Sequence, residues 1–195
     1  MSALFAFAST GGHAGPPLQK QMTESEVFES VTGSGSSDFA LLVSILDEHG
    51  RWCLIGGLAV NCYVEPVYTL DADIVVAVSE LDSIKQDLPG AAFAIQEFPP
   101  SINAQMKGSE LRIQFTTGSR YQEFLNDTNL MEVLGEHVPV ASLMNIVRGK
   151  IWAWSDQTRR ATKRKKDELD LMRILEAYPE LRSSMPEEIS KQISE

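Results

Sequence analysis

The chain has 195 residues, a formal net charge of −10 and a sequence pI near 4.8. This length suits one domain with at most a small helical appendage, and the negative charge argues against a protein that coats nucleic acid nonspecifically, although a local basic patch is compatible with it. Cys53 and Cys62 lack metal-ligand spacing, and no apolar run reaches the roughly 18 residues of a membrane span. We therefore expect reduced thiols, a cytoplasmic location and no membrane contact.

Residues 1–37 differ in composition from the rest of the chain. They are small and aperiodic, and they end in the linker-like run "TGSGSS", so we predict a disordered segment. Thr23 and Glu26 form a capping box that could begin a short helix, and Met22 is an alternative start of translation. The run "ALFAFA" is too short for a signal peptide and follows no basic residue, so we do not expect secretion.

Regular elements are predicted from Asp38 onwards. The stretch "DFALLVSILDEHG" has an N-cap residue, helical apolar spacing and Gly50 as a stop, which predicts a helix. "WCLIGG" is typical of a short buried strand that ends in glycines, and "LAVNCYVE" predicts a helix that ends before Pro66. "DADIVVAV" then predicts a strand on which Asp71 and Asp73 point to the same face.

Further helices and strands are predicted towards the C terminus. "SELDSIKQDL" predicts a helix capped by Ser79, and "AAFAIQEF" and "ELRIQFTT" predict strands. "SLMNIVRGKIWAWS" and "RRATKRKKDELDLMRILEAY" predict two helices. The pattern indicates an α+β fold, a small mixed β-sheet flanked by helices with a helical C-terminal part, divided into an α/β core at 38–140 and a helical part at 141–195 that packs on it.

Two features of the stretch 54–76 point to phosphate and metal chemistry. Asp71 and Asp73 lie at i and i+2 of a strand, about 6 to 7 Å apart at Cα, where both can hold a divalent cation. Gly56 and Gly57 lie at a strand-to-helix turn, where backbone N–H groups can approach a phosphate closely. A D-x-D pair alone is more often a solvated strand end, and a Gly-Gly pair alone is more often a tight turn. The interpretation therefore depends on the order and spacing of the two features along the chain.

The order of strand, Gly-Gly, helix and T-x-D-x-D resembles the nucleotidyltransferase superfamily, and more narrowly the nucleotidyltransferase-like toxins of abortive-infection and toxin-antitoxin systems and their bacterial relatives. The resemblance extends over residues 38–178, because those proteins also carry a Lys in a helix after the sheet and a K-D-x-x-D-L segment in the next helix. Here Lys150 and the stretch "KDELDL" match these two features. It implies nucleotide binding by Gly56, Gly57, Thr69 and Lys150, binding of Mg²⁺ or Mn²⁺ by Asp71 and Asp73, and catalysis by Asp71, Asp73 and Lys150. Lys166, Asp167 and Asp170 are implied as second-tier members of the site.

Two departures from the family pattern bear on activity. Tyr68 stands where the family has a basic residue before the Thr. A third carboxylate is expected on a later strand as general base or metal ligand, but Arg112 and Gln114 occupy the two expected positions. Glu110 points to the same face of the predicted strand as Arg112 and Gln114. It is the alternative third metal ligand if the strand register is shifted by two residues.

The basic run "RRATKRKK", residues 159–166, contrasts with the acidic remainder of the chain. A charged run on a helix is most often a solvated face, and Glu168 and Asp170 are spaced to pair with it. The other interpretation is a patch that steers a triphosphate or an RNA or tRNA acceptor.

Three functions follow as hypotheses. The leading one is an Mg²⁺-dependent nucleotidyltransferase that moves NMP from an NTP to a hydroxyl of RNA, protein or a small molecule. The second is a catalytically degenerate relative that binds nucleotide or acts as an interaction or regulatory protein, as Arg112 and Gln114 suggest. The third is a toxin-like component with an antitoxin-like partner.

Overall fold

The computed structural model describes residues 28–29, 32–98, 101–116 and 118–193. The predicted capping box at Thr23 and Glu26 and the alternative start at Met22 lie outside these residues. Within the described ranges, no helix is long and apolar enough to cross a bilayer.

Seven strands form one mixed sheet in the described part of the chain. The strand order is β3-β4-β5-β2-β1-β7-β6; β2 pairs with β5 and β1 with β7 in parallel, and the other neighbours are antiparallel. The strands are β1 (Trp52–Ile55), β2 (Asp71–Val76), β3 (Phe93–Phe98), β4 (Ser101–Met106), β5 (Arg112–Thr116), β6 (Thr128–Val133) and β7 (Glu136–Ala141). This sheet with its flanking helices confirms the predicted α+β class.

Six α-helices have both of their ends within the described ranges, and residues 28, 29 and 32 are helical as well. The six helices are α1 (Gly35–Glu48), α2 (Gly56–Asn61), α3 (Leu81–Asp87), α4 (Leu143–Ser155), α5 (Ala161–Ala177) and α6 (Glu187–Ser190). The Ser142 hydroxyl caps α4 by accepting a hydrogen bond from the backbone N–H of Asn145. Because α4 and α5 pack on each other and on α2, the C-terminal helices lie beside the turn that follows β1.

The central strands divide their side chains between a buried face and a polar face. On β2, Ala72 and Ile74 are fully buried, whereas Asp71 and Asp73 alternate with them and point to the opposite face. On the neighbouring strand β5, Ile113 and Phe115 are buried in the same way. Burial of these apolar side chains holds the sheet register, and the register aims the aspartates at the polar face.

The helix boundaries differ from the predicted ones at three main places. Helix α2 spans Gly56–Asn61 and does not continue to the residue before Pro66, because the backbone N–H groups of Cys62 and Tyr63 bond the carbonyls of Ala59 and Val60 in a tighter turn. Helix α1 begins at Gly35, so the predicted end of the disordered segment at residue 37 lies inside it; Glu29 explains the early start, because its carboxylate accepts hydrogen bonds from the backbone N–H groups of Ser36 and Ser37. Ser79 caps no helix, since it lies within a 3₁₀ turn before α3 and its hydroxyl donates to Glu80.

Candidate nucleotide site

The sheet register places two side chains of β5 directly beside the paired aspartates. Asp71 is the partner of Arg112 in the β2–β5 ladder, and Asp73 is the partner of Gln114. Arg112 and Gln114, which occupy the positions where a third acid is expected, are therefore the direct neighbours of the two aspartates. Glu110 precedes β5, is exposed and donates its backbone N–H to the carbonyl of Thr32, so the structure does not bring it to the pair.

Asp71 is held by two cationic side chains. Its Oδ1 accepts a hydrogen bond of 2.7 Å from Arg112 Nε, and its Oδ2 accepts one of 3.2 Å from Lys163 Nζ. Burial alone raises the pKa of this carboxyl, but Lys163 and Arg112 outweigh it, so the pKa of Asp71 lies below its ordinary value. Asp71 thus stays ionised to a lower pH than an ordinary aspartate.

Asp73 has the opposite environment. Its carboxylate forms no hydrogen bond or ion pair with the described residues, and it packs against Gly56. Burial raises the pKa of Asp73 above its ordinary value, and the neighbouring Asp71 raises it further, while Lys150 and Lys163 offset part of the rise. A half-buried carboxylate without a donor is open to a ligand that carries positive charge.

Gly56 is needed for the close approach of Asp73. Its φ is +73°, in the left-handed region, and a Cβ at this position would lie 2.0 Å from Asp73 Oδ2. Gly57 is less constrained, because a Cβ there would lie 3.4 Å from Thr69 Oγ1. The first glycine of the pair therefore shapes the site, and the second only borders it.

We expect Gly56→Ala to lower the free energy of unfolding by about 2 kcal/mol or more, because the left-handed backbone costs about 1 to 2 kcal/mol and the methyl group displaces Asp73. Gly57→Ala is the matched control and is expected to change this free energy by less than about 0.5 kcal/mol. Urea unfolding followed by circular dichroism measures both. Equal stabilities of the two variants would contradict the role given to Gly56.

Lys150 forms a buried ionic cluster with α5. Its Nζ lies 3.0 Å from Asp167 Oδ1 and 2.6 Å from Asp170 Oδ2. Arg159 and Arg173 complete the cluster with bonds of 2.9 Å to Asp167 and 2.8 Å to Asp170. Burial by itself lowers the pKa of Lys150, but the two carboxylates outweigh it and raise that pKa, so the side chain stays charged.

One cavity collects most of the residues predicted for the site. This cavity, called the cleft below, has a volume of about 290 Å³. Of the predicted residues, the cleft is lined by Gly57, Thr69, Asp71, Asp73, Lys150, Lys166, Asp167 and Asp170. A smaller pocket of about 120 Å³ shares Asp73 and Lys150 with the cleft and adds Gly56. Among the described residues, no group of three or more Asp, Glu, His or Cys side chains is placed to hold a metal ion.

Two cleft residues were not predicted as site residues. Arg159 and Lys163 line the cleft together with Lys166, and Lys163 bonds Asp71 across a long sequence separation. The signal for them was the basic run at 159–166. Lys163 and Lys166 share a face of α5 by their spacing, and Arg159 lies just before this helix begins at Ala161. Lys165 lies outside the cleft and pairs with Glu168, so the run contains both a site-facing and a solvated face.

Comparison with solved structures identifies the fold. The antigenic nucleotidyltransferase-like protein from Paracoccidioides brasiliensis matches at 17% identity over 82% of this chain and 86% of its own, with a TM-score of 0.51. ANT(2'')-Ia in complex with adenylyl-2''-tobramycin matches at 11% identity over 80% and 95%, with a TM-score of 0.52. The solution structure of the antibiotic-resistance factor ANT(2'')-Ia matches at 14% identity over 83% and 89%, with a TM-score of 0.50.

No protein-family model matches the chain, and no curated protein matches it. The structural similarities nevertheless show that the chain has the nucleotidyltransferase fold, as its motifs predict. The link to toxin-antitoxin systems stays a prediction from those motifs.

Proposed function

We propose that the protein is a divalent-metal-dependent nucleotidyltransferase that transfers NMP from an NTP to a hydroxyl group. The observation that carries this proposal is the cleft itself, which Asp71 and Asp73 line together with Lys150, Lys163 and Lys166. Carboxylates suited to Mg²⁺ or Mn²⁺ thus share one cavity with cations suited to phosphate. An apolar cofactor or a cationic ligand would not need both sets of charges.

The aspartate pair fits a divalent cation. Asp73 has no donor among the described residues, and burial raises its pKa although the charges of Lys150 and Lys163 offset part of the rise, so a cation bound to the carboxylate would stabilise its ionised form. Each Asp71 oxygen accepts one hydrogen bond in the structure and retains a second lone pair. When bound, the metal supplies charge neutralisation on the triphosphate and polarises the reacting phosphoryl group.

The remaining residues of the cleft have separate roles in this proposal. Lys163 and Lys166 bind the phosphates from α5, and the backbone N–H groups at the start of α2 bind them at Gly57, which lines the cleft, and at Gly56, which lines the smaller pocket. Lys150 is held by Asp167 and Asp170, and its charge acts on the phosphates without leaving the cluster.

The transfer step follows from this arrangement. The acceptor oxygen forms a bond to the α-phosphorus, and the bond from the α-phosphorus to the bridging oxygen breaks. Pyrophosphate leaves with the electron pair, and the hydroxyl proton passes to solvent, because Arg112 and Gln114 stand where a carboxylate base would neighbour Asp71 and Asp73.

We expect Gln114→Glu to raise the transfer rate, because it places a carboxylate beside Asp73 where it can accept the hydroxyl proton. General-base catalysis of this kind contributes about 100-fold or more. Initial rates of NMP transfer at saturating NTP measure the effect. Gln96→Glu adds the same charge to the same sheet face on β3 and is expected to give no increase. A Gln114→Glu rate equal to that of the parent would show that the missing acid does not limit the reaction.

Labelled nucleotides test the proposed reaction directly. NTPs labelled at the α- or the γ-phosphorus are incubated with the protein, Mg²⁺ and total RNA. NMP transfer places the α label on the RNA and the γ label in pyrophosphate, whereas phosphoryl transfer places the γ label on the RNA and leaves the α label in NDP. Appearance of the γ label on an acceptor would contradict nucleotidyl transfer.

The ion pair between Arg112 and Asp71 supports a second candidate function. The Arg112 guanidinium bonds one oxygen of Asp71, and this bond lowers the affinity of Asp71 for a metal ion. The protein would then be a catalytically degenerate member of the fold that binds nucleotide or acts as an interaction or regulatory protein, including a toxin-antitoxin component. Saturable NTP binding without movement of either label distinguishes this candidate from the enzyme.

A further inference from the structure

A second, larger cavity opens beside the cleft. This cavity, called the groove below, has a volume of about 950 Å³. Its floor is the polar face of β3, β4 and β5, and its wall is the first part of α5. Asp71, Lys163 and Lys166 line both the groove and the cleft. The two cavities therefore meet at a proposed metal ligand, which is where the donor and the acceptor of a transfer reaction must meet.

The floor of the groove carries a row of three carboxamides, which begins at the strand position beside Asp73. In the sheet register Asp73 is the partner of Gln114, Gln114 of Asn103, and Asn103 of Gln96. These residues lie on four neighbouring strands and on one face. Asn103 Oδ1 is buried and has no hydrogen-bond partner among the described residues. The row offers neutral donors and acceptors to a ligand with many hydroxyl or amide groups.

The charges around the groove are almost all positive. The cations that line it are Lys107, Arg112, Arg160, Lys163 and Lys166, and the one lining acid is Asp71. Asp71 already pairs with Arg112 and Lys163, and Lys107, Arg160 and Lys166 have no carboxylate within ion-pair distance in the described ranges. In a chain of net charge −10, this local excess attracts an anion and repels a cation.

We infer that the groove is the acceptor site and that the acceptor carries phosphate. This inference rests on the proposed function, because it identifies the substrate class of the same site. Lys107 and Arg160, which line the groove but not the cleft, bind the phosphate, and the carboxamide row orients the sugar or base that carries the reacting hydroxyl. A small phosphorylated sugar and the 3′ end of an RNA strand share this chemistry.

Lys107→Gln/Arg160→Gln is the variant that tests the inference, because both side chains line the groove and neither lines the cleft. Lys165→Gln/Lys191→Gln removes the same charge at two pairs outside the groove and is the matched control. Fluorescence anisotropy follows binding of a labelled RNA decamer with a free 3′ hydroxyl, and ribose 5-phosphate, ribose and tobramycin serve as competitors. Binding of Mg²⁺ with NTP is measured separately by calorimetry.

We expect the RNA decamer or ribose 5-phosphate to bind the parent and the control variant. Lys107→Gln/Arg160→Gln is expected to raise the dissociation constant of the probe that binds at least about tenfold, which is the lower end of the range for losing a hydrogen bond to a charged group. The variant is expected to leave NTP binding unchanged. Competition by ribose 5-phosphate at millimolar concentration identifies a small acceptor, and its failure to displace bound RNA identifies a strand.

Three results would overturn the inference. They are binding of neither phosphorylated probe, equal binding of probes by the groove variant and the parent, and competition by ribose or tobramycin as strong as that by ribose 5-phosphate. If the parent protein binds no NTP in the presence of Mg²⁺, the proposed function is overturned instead. Because the two measurements use different probes, the two failures can be told apart.

Discussion

Replacing Asp73 by Asn is expected to abolish metal-dependent NTP binding and to lower NMP transfer by at least about 100-fold. Asp73 is the carboxylate of the cleft that has no donor among the described residues, so a metal depends on it directly. The substitution keeps the size of the side chain and removes only its charge. Calorimetry with Mg²⁺ and NTP and the α-label assay measure the two effects.

The same substitution is expected to stabilise the fold without metal. The pKa of Asp73 is raised in the folded state, mainly by burial, so its ionised form disfavours folding, and this cost grows as the pH rises through the unfolded and then the folded pKa. Asp73→Asn removes the cost. Its free energy of unfolding in EDTA is expected to exceed that of the parent at pH 7, with the difference shrinking towards acid pH.

Asp71→Asn is the matched comparison, and it is expected to change the free energy of unfolding in the opposite direction. The pKa of Asp71 is lowered by Lys163 and Arg112, so its ionised form contributes stability that is present above the unfolded pKa and is lost as the pH falls through the folded one. We expect Asp71→Asn to lose about 1 kcal/mol at pH 7. Both variants losing stability at pH 7 would contradict the different environments assigned to the two aspartates.

Lys150→Met is expected to lower the free energy of unfolding by about 3 kcal/mol, the smaller end of the range for breaking a buried ion pair. The substitution leaves Asp167 and Asp170 buried without their shared cation. Arg159 and Arg173 still contact one carboxylate each, which limits the loss. Urea unfolding at pH 7 measures it.

Lys165→Met tests whether this effect belongs to the buried cluster. Lys165 is on the same helix as Asp167 and pairs with Glu168 at 2.9 Å, but its side chain is largely exposed. Exposed pairs contribute about 0 to 1 kcal/mol, so the change is expected to be at most of this size. A loss for Lys165→Met as large as that for Lys150→Met would contradict the proposed anchoring of α5 by Lys150.

The paired aspartates and the Gly-Gly turn could be predicted from the sequence because both depend on local geometry. A strand alternates its side chains, so Asp71 and Asp73 share a face wherever the strand lies. Gly56 follows a buried strand, which indicates a turn with unusual backbone angles. What could not be predicted is the bond from Lys163 to Asp71, because it depends on how α5 packs on the sheet.

Strands β4, β6 and β7 were not predicted, for reasons that differ along the chain. The β4 stretch "SINAQM" contains Asn and Gln and has low strand propensity, yet it pairs with β3 on one side and β5 on the other. Pairing on both sides overrides a weak local preference. Pro139 lies within β7 and weakens the strand signal there. The polar face that these pairings complete includes the groove floor on β4.

Calorimetric titration of the protein with each of the four NTPs, with and without Mg²⁺, is the most direct test of the nucleotide site. The parent is compared with Asp71→Asn/Asp73→Asn, and circular dichroism establishes that both are folded. We predict that at least one NTP binds the parent only when Mg²⁺ is present and does not bind the double variant. Absence of Mg²⁺-dependent binding of all four NTPs by the folded parent, or equal binding by the double variant, would contradict the assignment of the cleft.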